Sequence, residues 1–200
     1  MNVMKSALAG CAILVSGAAA QAATYTASAV IADQTSYGVC TSSAGTCSAD
    51  DRKTVTNVLG ATDEAFYSLG KGGILTVGFD LPVFAKGATV VIEEVTFNGP
   101  FRTGHFEAMD LYSVMDGVMS LVTTVYNTSK TATVSIAESF QYLRLVDVTA
   151  REYGKTSSFD GYDIDSITLT PHPVPVPAAG LMLMGGLAGL AMLRRRKTAA

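Results

Sequence analysis

Three aspartates near the C-terminal third of the chain have a spacing that suits a cation. Asp163 and Asp165 lie two residues apart, so on a strand both side chains project from one face, and Asp160 precedes them closely. Like charges on one face repel each other unless water or a hard cation such as Ca²⁺ lies between them. The spacing is not that of an EF-hand loop. Two interpretations stay open: a solvated polar strand face beside a turn, or a Ca²⁺ site formed by Asp160, Asp163 and Asp165.

One histidine in the middle of the chain is the candidate general base. His105 precedes Glu107 by two residues on a predicted strand, and Asp110 follows nearby. No G-x-S-x-G or H-E-x-x-H sequence accompanies them, and a lone histidine at the start of a strand is typical of a surface or packing residue. Paired carboxylates occur as in any acidic protein. The sequence therefore predicts no catalytic residues, no enzyme activity and no cofactor other than Ca²⁺.

Short apolar and β-branched runs, separated by Gly, Asp, Asn and Ser, predict that these residues lie on strands and turns. Asp116-Gly117 falls between two such runs and is typical of a two-residue hairpin turn. Thr62 to Leu69 predicts at most a short helix. The pattern predicts an all-β fold, an antiparallel β-sandwich of the jelly-roll kind. The predicted strands are Tyr25–Asp33, Lys53–Val58, Ile74–Asp80, Thr89–Phe97, His105–Met115, Val118–Tyr126, Ala132–Ala137, Gln141–Val148 and Tyr162–Thr170.

The N-terminus has the organisation of a secretory signal peptide, residues 1–22. Lys5 precedes an apolar run, and Ala20-Gln21-Ala22 supplies small residues at the cleavage positions. Leu8-Ala9-Gly10-Cys11 also matches a lipoprotein lipobox, but the apolar run before Cys11 is too short for that mode of export. We expect cleavage before Ala23.

Two cysteines, Cys40 and Cys47, remain after removal of the signal peptide. In an exported protein two cysteines usually pair, and the bridge would close a short loop rich in Ser, Thr and Gly. A zinc site is the alternative, but two cysteines without nearby histidines supply too few ligands. The sequence therefore predicts a Cys40–Cys47 disulfide.

The C-terminus has three parts. Residues 171–177 carry alternating prolines and predict an extended spacer. Residues 178–193 are uncharged and apolar, about 24 Å of helix, and flanking arginines extend the reach of this segment across a bilayer. Residues 194–200 form a basic tail that the positive-inside rule places in the cytoplasm. We expect a single transmembrane helix over 178–193.

The order of these three parts resembles a known sorting signal. Val174, Pro175, Val176, Pro177 and Ala178, followed by a Leu/Met/Gly helix and by Arg194, Arg195 and Arg196, resemble the PEP-CTERM family, closest to its VPLPA-type variant. The resemblance covers about 25 residues, departs from the family at Val176 and Ala178, and implies recognition by exosortase, an integral membrane protease of Gram-negative bacteria that make exopolysaccharide. It implies an inner-membrane-anchored precursor and then a location at the cell surface or in the extracellular matrix.

Charge is distributed unevenly along the chain. The whole sequence carries a formal charge of −3, yet all 17 acidic residues and only nine basic ones lie in the middle, residues 23–170, which therefore carries −8. A body of that charge repels phosphate, so nucleic acid is excluded as a partner. Once the ends are removed, the remaining protein is acidic and lacks a membrane segment.

The middle segment also resembles a family of domains. The stretches 57–60, 67–79, 142–147 and 159–167 are similar to ectodomains that accompany such sorting tails and to galactose-binding-like jelly rolls. Gly70-x-Gly72-Gly73 within them precedes a strand and predicts a turn, not a phosphate loop. We therefore expect a non-enzymatic surface or matrix protein associated with exopolysaccharide or biofilm. The alternative is a carbohydrate-binding jelly-roll module assisted by calcium.

Overall fold

The computed structural model describes residues 23–41, 52–95, 104–173 and 185–187 of the chain. These residues form nine strands and one short α-helix, α1, Thr149–Tyr153. The strands are β1 Tyr25–Val30, β2 Tyr67–Ser68, β3 Ile74–Phe79, β4 Ala88–Glu94, β5 Ala108–Met115, β6 Val118–Tyr126, β7 Thr131–Ile136, β8 Tyr142–Asp147 and β9 Asp163–Pro171. All strand pairs are antiparallel, which confirms the all-β prediction.

Two sheets share the first strand. One sheet has the order β6-β5-β8-β3-β1, and the other contains β1, β9, β4 and β7, with β2 beside β9. Tyr25 and Thr26 of β1 pair with β9, and after an irregularity between Ala27 and Ala29 the same strand pairs with β3. Irregular pairing bends a strand, so β1 joins the two sheets of the β-sandwich at a corner.

The core lies between the two sheets. Strand β4 alternates buried and half-buried residues over its whole length, as expected for a strand with one face on a core. Leucines of β3 and β8 face valines and isoleucines of β4 and β9 within one apolar cluster. Phe84 and Phe140 stack with ring centroids 4.8 Å apart and close one end of the sandwich. The opposite end, where β4 and β8 finish and β5 and β9 begin, carries polar and charged side chains.

Two predicted elements differ in the structure. The predicted strand Lys53–Val58 is a 3₁₀ turn, Val55–Val58, because Val58 alone of these residues is buried and β1 and β2 already occupy the neighbouring edge of β9. The segment 62–69, for which the sequence allows at most a short helix, forms none, because Glu64 adopts a φ of 70° and Tyr67–Ser68 pairs with β9 instead.

Other local predictions are confirmed. The Asp116-Gly117 turn joins β5 to β6 with φ values of 50° and 78°, and β6 has the predicted bounds. Gly70 and Gly72 lie in a tight turn before β3, with φ values of 73° and 75°. The remaining strands start or end within a few residues of the prediction, and α1 was missed because five residues are too few to show a helical period.

No helix among the described residues combines the length and the apolar composition that a membrane crossing requires. The predicted signal peptide 1–22 and basic tail 194–200 lie outside the described residues, as do the sorting motif at 174–178 and the predicted transmembrane segment 178–193 apart from 185–187. The predicted spacer 171–177 is wrong at its first residue, because Pro171 is the last residue of β9 and lies opposite Ala88.

Candidate functional site

The three aspartates of the predicted calcium site are buried. Asp160 and Asp163 have no exposed surface, and Asp165 is 1% exposed, so the interpretation as a solvated strand face is wrong. Asp160 and Asp163 lie together, because the hydroxyl of Ser68 in β2 donates to both carboxylates. Asp165 instead accepts hydrogen bonds from the backbone N–H groups of Asp63 and Glu64, at 3.2 and 3.1 Å. Asp165 therefore fixes a loop, while Asp160 and Asp163 face a common interior.

Two glutamates complete this interior group. Glu94 at the end of β4 and Glu107 just before β5 place carboxylate oxygens within 4.8 Å of one another and of an oxygen of Asp163. All three residues are fully buried. The spacing of carboxylate oxygens is that of a set of cation ligands. We call Glu94, Glu107 and Asp163 the carboxylate triad.

Burial and mutual repulsion shape the electrostatics of the triad. Burial raises the pKa of Glu107 well above its ordinary value, and the charges of Asp163 and Asp160 raise it further. His105 Nε2 lies 3.0 Å from Glu107 Oε1, though not in hydrogen-bond geometry. Arg52 pairs with Asp160 at 2.8 Å. Concentrating several carboxylates in an interior is costly unless cations or protons compensate them.

Two further oxygens at this polar end of the sandwich are buried. Within the described part of the chain, the hydroxyl of Tyr162 and Oδ1 of Asp160 are buried and have no hydrogen-bond partner. Burial raises the pKa of Tyr162, and the charges of Glu94, Glu107 and Asp163 raise it further. A buried oxygen without a partner is costly, so each of these two oxygens favours a polar group or a cation beside it.

The structure keeps the candidate base His105 with Glu107 and separates it from Asp110. His105 Nε2 lies 3.0 Å from Glu107 Oε1, whereas Asp110 is buried and held by Arg151. Asn127 donates to Glu107 Oε2 at 3.0 Å and to the carbonyl of His105 at 2.9 Å, so this group fastens the start of β5. Its geometry is that of a packed polar network.

An exposed group of aromatic rings lies at the same end of the sandwich. Phe106 stacks on Tyr153 with ring centroids 5.2 Å apart and planes 26° apart, and Tyr126 meets Tyr153 edge-on at 6.1 Å. Phe106 is 38% exposed and Tyr126 is 39% exposed. We call Phe106, Tyr126 and Tyr153 the aromatic platform. Three elements bring the rings together: the segment before β5, the end of β6 and the end of α1.

Charged groups border the platform. Arg151 binds both carboxylate oxygens of Asp110, at 2.6 and 2.8 Å, and its Nε donates to Glu152 at 2.8 Å. Tyr126 donates its hydroxyl to Glu152 at 2.9 Å, and Thr124 donates to Asp110 at 2.7 Å. The hydrogen bonds from Arg151, followed by those from Thr124 and Tyr112, hold the pKa of Asp110 below its ordinary value, against the effect of burial.

A shallow depression of about 370 Å³ adjoins the platform between β6 and β7. Hydroxyl groups line most of it, and its lining residues are Thr123–Tyr126, Thr128, Ser129 and Thr131–Val134. Aromatic rings beside charged pairs and hydroxyls are the surface chemistry of small-molecule recognition in which one part of the ligand is apolar and another polar.

Sequence reasoning found part of these sites. It singled out Asp163, but it missed Glu94 and Glu107 as partners, since the three residues come from the end of β4, the segment before β5 and the start of β9. It also missed the aromatic platform, whose residues lie 20 and 27 positions apart and share no motif. Of the predicted disulfide, Cys40 lies at the end of the described segment 23–41 and Cys47 lies outside the described residues, so the bridge stays a prediction.

No protein-family model and no curated protein matches the chain. Among solved structures, the GH31 module CBM32-2 bound to GalNAc has a TM-score of 0.39 and 11% identity, covering 52% of this chain and 66% of that one. The crystal structure of SpGH29 has a TM-score of 0.45 and 12% identity, covering 74% and 28%. The family 32 module of C. perfringens NanJ in complex with galactose has a TM-score of 0.40 and 12% identity, covering 57% and 82%.

These are partial likenesses, in which the chain spans less than two thirds of the length of the first two matches. No residue role is transferred from them to this chain.

Proposed function

We propose that the β-sandwich is a non-catalytic carbohydrate-binding module of an exported surface protein. The observation that supports this function is the exposed aromatic platform beside the Arg151–Asp110 pair. A sugar ring has an apolar C–H face and a rim of hydroxyls. An exposed aromatic ring contacts the first, and charged side chains form strong hydrogen bonds to the second.

The platform is also pre-ordered for binding. Asp110 is clamped by Arg151 and Thr124, and Tyr126 is fixed by Glu152. Thr156 donates to the carbonyl of Phe106 at 2.7 Å and accepts from its N–H at 2.9 Å. Side chains that are already ordered lose little entropy on binding, which favours affinity.

A glycan array probed with the full-length protein in mild detergent tests this function. We expect binding to neutral glycans, and we expect Phe106→Ala to weaken it about tenfold, because the ring is both a contact and the support of Tyr153. Val39→Ala, at an exposed apolar residue away from the platform, is the control. If no glycan on the array binds, the proposed function is refuted. If Phe106→Ala and Val39→Ala bind equally well, the proposed site is refuted.

We further propose that the module is delivered to the cell surface by exosortase and associates there with extracellular polysaccharide. The sequence of the C-terminal tail supports this localisation. In an exosortase-containing host, replacement of Arg194, Arg195 and Arg196 by Gln should block maturation, which an immunoblot of secreted and membrane fractions measures. Normal release of the variant would contradict the proposal.

The carboxylate triad supports a structural calcium ion. Glu94, Glu107 and Asp163 provide buried oxygens at ligand spacing. Ca²⁺ binds six to eight oxygens, many of them carboxylate. Of the three predicted ligands, Asp163 stays a proposed one, Asp160 is linked to Asp163 through Ser68, and Asp165 instead binds the loop at Asp63 and Glu64.

Thermal unfolding with Ca²⁺ or EDTA tests the ion. We expect millimolar Ca²⁺ to raise the Tm of the wild-type protein, because an ion that binds only the folded state stabilises it. Glu94→Gln should abolish the increase. Glu93→Gln, at the neighbouring half-buried residue whose carboxylate accepts from Thr131, should retain it. A wild-type Tm that is unchanged by both Ca²⁺ and EDTA would exclude the site.

A further inference from the structure

The outer face of the β6-β5-β8-β3 sheet continues away from the aromatic platform. Pairing places Tyr126 opposite Ala108, Leu121 opposite Tyr112, and Tyr142 opposite Val114. Their shared face is visible in two contacts: the hydroxyl of Tyr112 reaches Asp110 at 3.4 Å, and Arg144 reaches the sulfur of Met119 at 2.9 Å. Aromatic and aliphatic groups thus follow one another along the strands.

This face has the length of an extended ligand. Ala108 and Val114, the partners of Tyr126 and Tyr142, lie six residues apart on β5. At 3.4 Å per residue the two tyrosines are separated by about 20 Å along the strand. Leu121 is 57% exposed and Met119 is 49% exposed, so apolar surface is accessible between them. We call the strip from Tyr126 through Tyr112 to Tyr142 the tyrosine track.

The charges along the track cancel, and Asp116 adds one negative charge at the turn beyond Tyr142. Asp110 and Glu152 carry two negative charges, and Arg151 and Arg144 carry two positive ones. Arg144 donates to Thr76 Oγ1 at 3.1 Å and to Gln34 Oε1 at 3.3 Å, and it directs a third N–H at the sulfur of Met119. A thioether is a weak acceptor that a hydroxyl oxygen can replace. A neutral face on a body of net charge −8 suits a hydroxyl-rich ligand without charge.

We propose that the tyrosine track binds an uncharged linear polysaccharide lengthwise, with its internal sugars on the sheet and not only a terminal sugar on the platform. This inference rests on the proposed carbohydrate-binding function and specifies its substrate class. Tyr112 and Tyr142 supply apolar contacts, and Arg144 supplies a hydrogen-bond donor in the middle of the track.

Calorimetric titration of the full-length protein with neutral oligosaccharides of one linkage and increasing length tests the track. These oligosaccharides share the sugar linkage of the glycan that binds most tightly on the array. Affinity should increase with length until the oligomer spans about 20 Å and then level off. Tyr142→Ala should weaken binding of the long oligomers about five- to tenfold and leave the disaccharide unchanged, because only long chains reach this end.

Thr133→Ala is the matched variant, at an exposed hydroxyl in the depression between β6 and β7. If Thr133→Ala, and not Tyr142→Ala, weakens binding of the long oligomers, the polysaccharide follows the depression and the proposal of the tyrosine track is wrong. Disaccharide binding without any length dependence would also overturn the track, while the proposed function would stand. If the anionic polymer polygalacturonate binds more tightly than every neutral oligomer, the proposal that the ligand is uncharged is wrong. Failure of every sugar to bind would remove both proposals.

Discussion

At the scale of single residues, Asp147 holds the polar end of the sandwich together through hydrogen bonds. One of its oxygens accepts from the N–H of Gly72 at 3.0 Å, and the other accepts from the hydroxyl of Thr149 at 2.7 Å and the N–H of Tyr162 at 3.0 Å. Burial raises the pKa of Asp147, and these hydrogen bonds oppose the increase. A single carboxylate thus connects three separate loops.

Gly161 makes this arrangement possible, and its replacement should be destabilising. Gly161 has a φ of 75°, and a Cβ there would lie 2.5 Å from Asp147 Oδ2. Gly161→Ala should lower the free energy of unfolding by about 3 kcal/mol, as strain and the displaced carboxylate combine. Gly117→Ala has a similar φ and nothing within 4 Å, so it should cost about 1 kcal/mol. Urea denaturation measures both, and equal losses would show that contact with Asp147 is unimportant.

Asp110 should make stability depend on acidity. Its pKa lies below the ordinary value of 3.8 because Arg151 and Thr124 bind the carboxylate, so the folded state favours the charged form. The resulting stabilisation is present above the unfolded pKa and is lost as pH falls through the folded one. The unfolding free energies of wild type and Asp110→Asn should therefore converge as the pH falls below about 5, through the unfolded pKa and then the folded one. A difference at Asp110 that stays constant with pH would contradict the ion pair.

At the scale of elements, the alternation of apolar and polar residues predicted the strands of the two sheets but not the segments between them. Strand β6 has its predicted bounds because Asp116-Gly117 and the polar residues after Tyr126 limit it on both sides. The predicted strand Lys53–Val58 is wrong because this segment makes its hydrogen bonds outside the sheets: the side chain of Asn57 donates to the carbonyl of Phe66 at 3.1 Å.

The candidate sites were predictable only in part, because local sequence patterns do not record contacts between distant segments. The aspartates near β9 attract notice because they are close in sequence. Glu94 and Glu107 meet Asp163 only through the ends of different strands, and no local pattern records that. The aromatic platform is likewise assembled from three elements.

The long connection between β1 and β2 depends on Arg52. Its guanidinium lies between the rings of Phe66 and Phe159, at 5.2 and 5.4 Å from their centroids, and it donates to buried Asp160. Arg52→Met should lower the free energy of unfolding by about 3 kcal/mol, because Asp160 is left buried without its cation. Adding Asp160→Asn should recover a large part of that loss. If the double variant is no more stable than the single one, the stacking of Arg52 on the two rings, and not its charge, is what matters.

At the scale of the whole molecule, the two ends of the sandwich differ in chemistry. Stacked phenylalanines close one end, and buried carboxylates with an exposed aromatic platform occupy the other. The sheets that hold these ends in place are joined by β1, which pairs with β9 and with β3. Correct placement of both candidate sites therefore depends on the first strand of the described chain.

Truncation from either side tests that dependence. A chain that starts at Ala32 lacks β1, so β3 and β9 each lose a partner and the core loses Ala27. Because pairing and burial are lost together, this chain should show no cooperative thermal transition. A chain that starts at Ala23 keeps every described strand, and a chain that ends at Pro173 keeps all of β9, so both should melt within about 2 °C of the full-length protein. Circular dichroism on heating distinguishes the cases, and a cooperative transition in the chain from Ala32 would show that the two sheets associate without the shared strand.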